Sequence, residues 1–203
     1  MGGLVESSIH ESVLTLVERN ASHAEVVWQN EARINHFEIE IDDRATALLA
    51  LQQPMARDLR FLTAVIKINT DLERMGDLAV NIVQRSVELI KFPEIKPLID
   101  IPAMAKLAEA MVRKSLDAFV QRDAGLARMV LLSDDDVDRL RTSVYRDLIE
   151  LMQHDPAIIP HGVDLILISR HLERIADHAT NIAEDTLFSV KGIDVRHHSE
   201  AEA

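Results

Sequence analysis

The side chains with the clearest chemical potential lie in two short runs that stand one hundred positions apart. Each run holds a glutamate, an aspartate and an asparagine at every fourth residue: Glu73, Asp77 and Asn81, then Glu173, Asp177 and Asn181. On an α-helix this spacing sets the three side chains in one stripe. Carboxylate and amide oxygens are hard ligands that suit Mg²⁺, Mn²⁺ or Ca²⁺ and, where several carboxylates meet, iron or zinc. The spacing therefore indicates metal binding along each stripe.

The two runs belong to a longer internal repeat. Residues 68–89 read INTDLERMGDLAVNIVQRSVEL, and residues 168–189 read ISRHLERIADHATNIAEDTLFS. Eight of the 22 aligned positions are identical, and the identities include charged and amide residues. A shared apolar periodicity explains matched leucines, but it does not explain matched Glu, Arg, Asp and Asn. A duplicated three-helix unit accounts for the pattern best.

Prolines divide the chain into long segments, because proline breaks the interior of a helix. Between the prolines, apolar spacing predicts six helices in an all-α fold. They cover residues 3–19, 22–52, 56–91, 100–121, from the turn at Asp123 to 153, and 161–190. Ser22 and Glu25 predict a capping box at the start of the second helix, and Asp100 predicts a cap on the fourth.

The predicted organisation is therefore two three-helix repeats joined by a linker. The first repeat covers residues 1–92, the linker 93–101 and the second repeat 102–192. Residues 193–203 are a polar tail that we expect to be disordered.

A second acidic stripe lies on the helix that precedes each repeated motif. Its members are Glu31, Asn35, Glu38 and Asp42 on the second helix, with Asp134 and Asp138 on the fifth. Consecutive helices joined by short turns pack antiparallel, so Glu73 comes level with about residue 36 and Asp77 with about residue 32. By the same count Asp177 comes level with about residue 137. Each half of the chain should place two acidic stripes side by side.

Like charges this close destabilise a fold unless something compensates them. Arg74 and Arg174 can supply part of the compensation, and bound cations can supply the rest. The alternative is that both stripes are solvated surface charge, as most such pairs on helices are. The duplication favours metal, but the sequence leaves both interpretations open.

Composition narrows the function further. The chain has 22 basic and 34 acidic residues and a formal net charge of −12, which argues against a nucleic-acid partner. It contains no cysteine, so disulfides and thiolate metal sites are excluded. The N-terminus does not resemble a signal peptide, and no apolar run predicts a membrane-spanning helix. We therefore expect a cytoplasmic protein that does not insert into membranes.

Over essentially the whole chain these motifs resemble the PhoU family. The two repeated helices, with ERMGD…NI and ERIADHATNIAE, are similar to the signature helices of that family. Four further segments are similar: PMARDLR at 54–60, RINHFEIEID at 33–42, DDVDRL at 135–140 and VKGIDVRH at 190–197.

The resemblance implies two three-helix bundles related by a pseudo-twofold axis. It also implies a cytoplasmic, often dimeric protein that negatively regulates the phosphate-starvation response without catalysing a reaction. Its implied partners are the ATPase of the phosphate ABC transporter and a phosphate-sensing histidine kinase. The family usually has more helix before the Met-Gly-Gly-Leu-Val-Glu segment with which this chain opens, so we expect a short member or a clipped N-terminus.

Some PhoU proteins hold multinuclear metal clusters on these acidic motifs, so the resemblance implies two clusters of Fe, Zn, Mn or Mg here. The first falls on Glu31, Asn35, Glu73, Asp77 and Asn81. The second falls on Asp134, Asp138, Glu173, Asp177, Asn181 and Glu184. Because Asn35 is neutral where the second set has Asp138, we expect a weaker first site unless Glu38 or Asp42 substitutes.

Three other interpretations were weighed. A di-metal carboxylate enzyme needs Glu-x-x-His pairs, and no glutamate here is followed three residues later by histidine. A phosphate receptor would need a glycine-rich loop or an arginine cluster. An adaptor paralogue that serves metal or phosphate homeostasis stays open. Arg57 and Arg60 either pair with local carboxylates or form a partner-docking patch.

Overall fold

The computed structural model describes residues 1–95 and 100–195, and within them the chain is helical without any β-strand. Seven α-helices and one 3₁₀ turn are present in that part of the chain. They are α1 (Gly2–Val17), α2 (Ser22–Gln52), α3 (Arg57–Leu89), α4 (Ile101–Gln121), α5 (Ala124–Leu131), α6 (Asp134–His154), a 3₁₀ turn (Pro156–Ile158) and α7 (Ile159–Lys191).

The predicted all-α architecture of two three-helix repeats is confirmed, with one difference. The fifth predicted helix is interrupted at Leu132 and Ser133, so that α5 and α6 are separate pieces. The predicted domain limits stay a prediction. Residues 96–99 of the predicted linker and 196–203 of the predicted tail lie outside the described residues.

Helices α1, α2 and α3 pack together as one bundle, and α4 to α7 form the other. The longest helices, α3 and α7, lie side by side and join the two bundles. They run antiparallel, because contacts between them pair early residues of one with late residues of the other. These pairs are Lys67 with Asp185 at 2.7 Å, Asp71 with His178 at 2.7 Å, and Arg85 with Asp164 at 2.7 Å.

The core is aliphatic and continuous across both bundles. Apolar residues recur every three or four positions on α3, and Leu72, Met75 and Ile82 are buried there. The equivalent residues of α7, Leu172, Ile175 and Ile182, are fully buried. Because this stripe must face the core, Glu73, Asp77 and their equivalents are left on a different face of each helix.

The α2–α3 hairpin is closely packed where the acidic stripes meet. A Cβ on Gly76 would lie 3.2 Å from the end of the Ile34 side chain, so only a small residue permits this approach. The equivalent residue in α7 is Ala176, and Val137 occupies the corresponding place on α6. In each repeat a small residue on the long helix thus accompanies a larger one on the preceding helix. The pairs are Gly76 with Ile34 in the first repeat and Ala176 with Val137 in the second.

Two of the predicted caps are wrong. Helix α2 begins at Ser22 itself, and the backbone N–H of Ser22 donates to Asn20 Oδ1 at 3.0 Å, so no capping box forms. Asp100 does occupy the residue before α4, but its side chain accepts no capping hydrogen bond. None of the helices in the described residues is long and apolar enough to cross a membrane.

Candidate metal centre

In the second repeat, four carboxylates of α6 and α7 lie near enough for their charges to affect one another. Partial burial, followed by the charges of Glu173, Asp134 and Asp138, raises the pKa of Asp177 to about 6, although the residue stays exposed at the surface and solvent weakens the effect. Burial and the charges of Asp138, Asp135 and Glu173 also raise the pKa of Asp134. We call Asp134, Asp138, Glu173 and Asp177 the second acidic cluster.

The corresponding site in the first repeat lies between α2 and α3. Burial raises the pKa of Glu73, and the nearby charges of Asp77 and Glu38 raise it further. The Glu73 side chain is only 19% exposed, while Arg74, whose Nε lies 3.6 Å from Glu73 Oε2, is 59% exposed and opposes this shift in part. We call Glu38, Glu73 and Asp77 the first acidic cluster.

The antiparallel register predicted from the sequence is confirmed for both hairpins. Asn69 donates to the Glu38 carbonyl at 2.8 Å and to Asp42 Oδ1 at 2.9 Å, while Gly76 lies against Ile34. These contacts set Glu73 level with the turn of α2 that holds Glu38. Glu31 is half-buried and level with the stretch of α3 between Asp77 and Asn81, and Asn35 is exposed.

The amide groups of the asparagines that close the two predicted stripes both donate hydrogen bonds within the protein. Asn81 Nδ2 donates to the Asp77 carbonyl of its own helix at 2.9 Å. Asn181 Nδ2 donates across the bundle interface to Asp71 Oδ1 at 3.2 Å. Glu184 lies two turns beyond Asp177, beside Lys67 and Asp71 in a cleft of about 350 Å³ between α3 and α7. The structure therefore does not bring Asn181 or Glu184 to the second acidic cluster.

Two residues beside the acidic clusters were underestimated by the sequence pattern. Glu38 was considered only as a substitute ligand, yet it is the α2 carboxylate that acts on Glu73. Arg141 was missed entirely, although its Nε lies 3.2 Å from Glu173 Oε1. Arg141 could have been found by aligning α6 with α2. These two helices align at an offset that differs from the one hundred residues between α3 and α7.

The histidines beside the second stripe face away from it. His178 Nδ1 lies 2.7 Å from Asp71 Oδ1 of α3. Both ring nitrogens of His171 are buried and have no hydrogen-bond partner among the residues that the structure describes. Burial, with the charges of Arg85, Arg174 and Arg170, lowers the pKa of His171 to about 4, which keeps that ring neutral.

The two arginines predicted to bind a partner differ in their surroundings. Arg57 is exposed at the start of α3. Arg60 is half-buried, and its guanidinium Cζ lies 3.6 Å from the point where a Cβ on Gly192 would be. Since Gly192 caps the C-terminus of α7, Arg60 is placed to stabilise that helix end. Only Arg57 has the exposure that a docking residue needs.

In the described residues, the two clusters do not form complete metal-coordination sites. Among residues 1–95 and 100–195, no three or more histidine, aspartate and glutamate side chains are arranged to hold one metal ion. The clusters do concentrate hard oxygen ligands and negative charge between paired helices. This donor set fits Mg²⁺ or Mn²⁺, and several carboxylates together also fit iron or zinc.

Comparison with known proteins agrees with this arrangement. A family model described as the PhoU domain matches residues 1–86 and again residues 101–186. The PhoU homolog of Pseudomonas aeruginosa, named a phosphate-specific transport system accessory protein, is 37% identical over 97% of this chain and 82% of its own. The relative of that name from Aquifex aeolicus is 38% identical over 97% of this chain and 89% of its own.

Solved structures show the same fold. The crystal structure of PhoU from Pseudomonas aeruginosa superposes with a TM-score of 0.92 at 36% identity, covering 95% of this chain and 93% of that one. The phosphate transport system regulatory protein PhoU from Streptococcus pneumoniae gives 0.88 at 29% identity, covering 96% and 91%. The fold and the site together define a class of protein in which two three-helix bundles follow each other along the chain and each contains a pair of acidic helices. The chain belongs to the PhoU family.

The raised pKa of Asp177 predicts how stability should respond to pH in chelator-treated protein. Its ordinary pKa is 3.8 and its pKa in the folded chain is about 6, so the fold loses stability as pH rises through this window. Replacing Asp177 with Asn removes the titration. We expect Asp177→Asn to be more stable than the unsubstituted protein at pH 7.5, by about 1 kcal/mol after allowance for solvent screening.

Urea unfolding in EDTA at several pH values measures this difference, which should shrink towards pH 5. Asp43→Asn, on an exposed part of α2, is the matched control. A difference between Asp177→Asn and the unsubstituted protein that stays constant with pH would refute the assignment.

Proposed function

We propose that this protein is a non-enzymatic negative regulator of the phosphate-starvation response. The single observation that carries this proposal is the duplicated PhoU domain, which spans both bundles. Its relatives are named accessory proteins of the phosphate-specific transport system. We infer that this chain acts with the ATPase of the phosphate ABC transporter and with a phosphate-sensing histidine kinase.

The proposed setting is the cytoplasm, and the proposed state is a homodimer. Arg57 is the exposed residue that we assign to partner contact, because it lies at the free tip of the α2–α3 hairpin. Arg60 would support that tip through its contact with the end of α7.

We further propose that both acidic clusters bind Fe, Zn, Mn or Mg. Support comes from carboxylates that raise one another's pKa between paired helices, since a cation would relieve that repulsion. Glu73 and Asp77 with Glu38, and Glu31 or Asn35 beside them, would hold the first group. Glu173, Asp177, Asp134 and Asp138 would hold the second. When bound, the metal supplies positive charge that stabilises the helix pairs and can bridge to a partner.

Metal content tests the second proposal. The protein is stripped with chelator, reloaded with Mn, Fe, Zn or Mg, desalted and measured by elemental mass spectrometry. Asp77→Ala together with Asp177→Ala removes one carboxylate from each cluster and should abolish retained metal. The control is Asp43→Ala with Asp117→Ala, which changes the net charge equally at two exposed positions. If the cluster variant retained as much metal as the unsubstituted protein, the proposal that these clusters bind metal would be wrong.

Complementation tests the regulatory proposal. A bacterium that lacks its own PhoU protein should express a phosphate-starvation reporter, such as alkaline phosphatase, even in phosphate-rich medium. We expect this chain to restore repression, and we expect the same chain with Arg57→Glu to restore it less, because its docking charge is reversed. If reporter activity stays at the starvation level while the protein accumulates normally, the regulatory assignment is wrong.

A further inference from the structure

Helix α2 extends well beyond α1, the helix that packs along its side. Asn30 Nδ2 of α2 donates to Ser7 Oγ of α1 at 3.4 Å. The ring of His23, near the start of α2, lies 2.6 Å from Glu11 Oε2, further along α1. The two helices are therefore antiparallel, and Gly2, where α1 begins, comes level with about residue 35 of α2. Helix α2 continues for about 25 Å past that level, at 1.5 Å per residue.

The uncovered half of α2 presents large apolar side chains on the side that α1 covers in the other half. Leu48 lies about five helical turns after Asn30, so it is on the same side of α2 as the contact with α1. Leu51, three residues further on, is its neighbour on the helix surface. Leu48 is 47% exposed and Leu51 is 79% exposed. We call this side of α2, from residue 38 to residue 52, the overhang face.

The apolar surface continues around the turn into α3. Met55 in the turn and Leu59 in the first turn of α3 are both exposed. Residues 45–56 read ATALLALQQPMA and contain no charged residue, although charged residues make up 28% of the chain. Exposed apolar side chains gathered at one end of a hairpin indicate a surface that another molecule covers.

The distribution of charge favours a second copy of this chain as that molecule. The chain carries a formal net charge of −12, so two copies repel each other over most of their surfaces. Residues 40–60, by contrast, hold four acidic and three basic residues. A strongly basic partner would be drawn to the acidic helix faces instead, and a strongly acidic partner would find no excess of positive charge here. Two copies can meet at this hairpin with little repulsion.

We propose that the overhanging α2–α3 hairpins of two copies pack against each other about a twofold axis and form an intermolecular four-helix bundle. The overhang face of each copy then buries Leu48 and Leu51 against the other copy. Arg57, at the end of the hairpin, lies outside the overhang face and remains available for the contact assigned to it above. This inference rests on the homodimer included in the proposed function.

The size of the surface determines what kind of dimer it supports. The overhang is about 25 Å long, and two helices side by side are about 20 Å wide. Each copy thus offers about 500 Å², less than the roughly 800 Å² per partner of a standard stable interface. The dimer should therefore dissociate on dilution, and its dissociation constant can be measured.

Sedimentation velocity over a wide range of protein concentration measures that constant for the full chain. Leu48→Glu and, separately, Leu51→Glu should each weaken dimerisation at least about tenfold, because a carboxylate replaces apolar contact in both copies at once. Ile39→Glu is the matched control. Ile39 is 62% exposed on the same helix, but it lies half a turn out of phase with Leu48 and so faces the opposite side.

A second measurement does not depend on destabilising the interface. The chain has no cysteine, so a single introduced cysteine carries a spin label at one defined position. In the dimer, electron–electron double resonance should give a shorter distance between two labels at Leu51→Cys than between two labels at Ile39→Cys. Circular dichroism and thermal melting establish that each variant is folded.

The outcomes separate this surface from the proposed function. If the chain dimerises, but the Leu48→Glu and Leu51→Glu variants dimerise as well as Ile39→Glu, the overhang face is not the interface and the homodimer stands. If the unsubstituted chain is monomeric at every concentration, both the homodimer and this interface are wrong, and the overhang face is left to a different partner. Repression in the complementation experiment is measured independently of either result.

Discussion

Packing two acidic helix faces against each other is the constraint on which this structure depends. The apolar stripes of α3 and α7 must be buried, and this leaves their carboxylates beside those of α2 and α6. Close packing at Gly76 and Ile34 keeps the helices too near for water to screen the charges fully. The raised pKa values of Glu73, Asp134 and Asp177 reflect partial burial first and the charges of neighbouring carboxylates second. The fold tolerates it because a large aliphatic core stabilises both bundles.

The two repeats compensate the repulsion in different ways. In the second repeat an arginine of the chain itself contacts the central glutamate. In the first repeat Glu38 instead adds negative charge beside Glu73. A duplicated unit has thereby kept its architecture while its two acidic sites have diverged in charge.

Much of this arrangement could be predicted from the sequence, because helix periodicity and short turns determine which residues of a hairpin are level. The positions of Glu73 beside α2 and of Asp177 beside α6 followed from counting outward from the turns. Contacts between the bundles could not be obtained in that way, so the recruitment of Asn181 by Asp71 was missed. Arg141 was missed because the predicted stripes contained only acidic and amide residues, and a basic residue on α6 does not belong to that pattern.

The measurement that tests the central claim most directly is the melting temperature of chelator-stripped protein as cations are added at pH 7.5. If a specifically bound cation relieves the repulsion between the carboxylates of the clusters, micromolar Mn²⁺ should raise the melting temperature. Choline chloride at the same ionic strength should then leave the melting temperature unchanged. Equal responses to the two salts would mean that simple screening relieves the repulsion, and this would contradict the account of the clusters as metal sites.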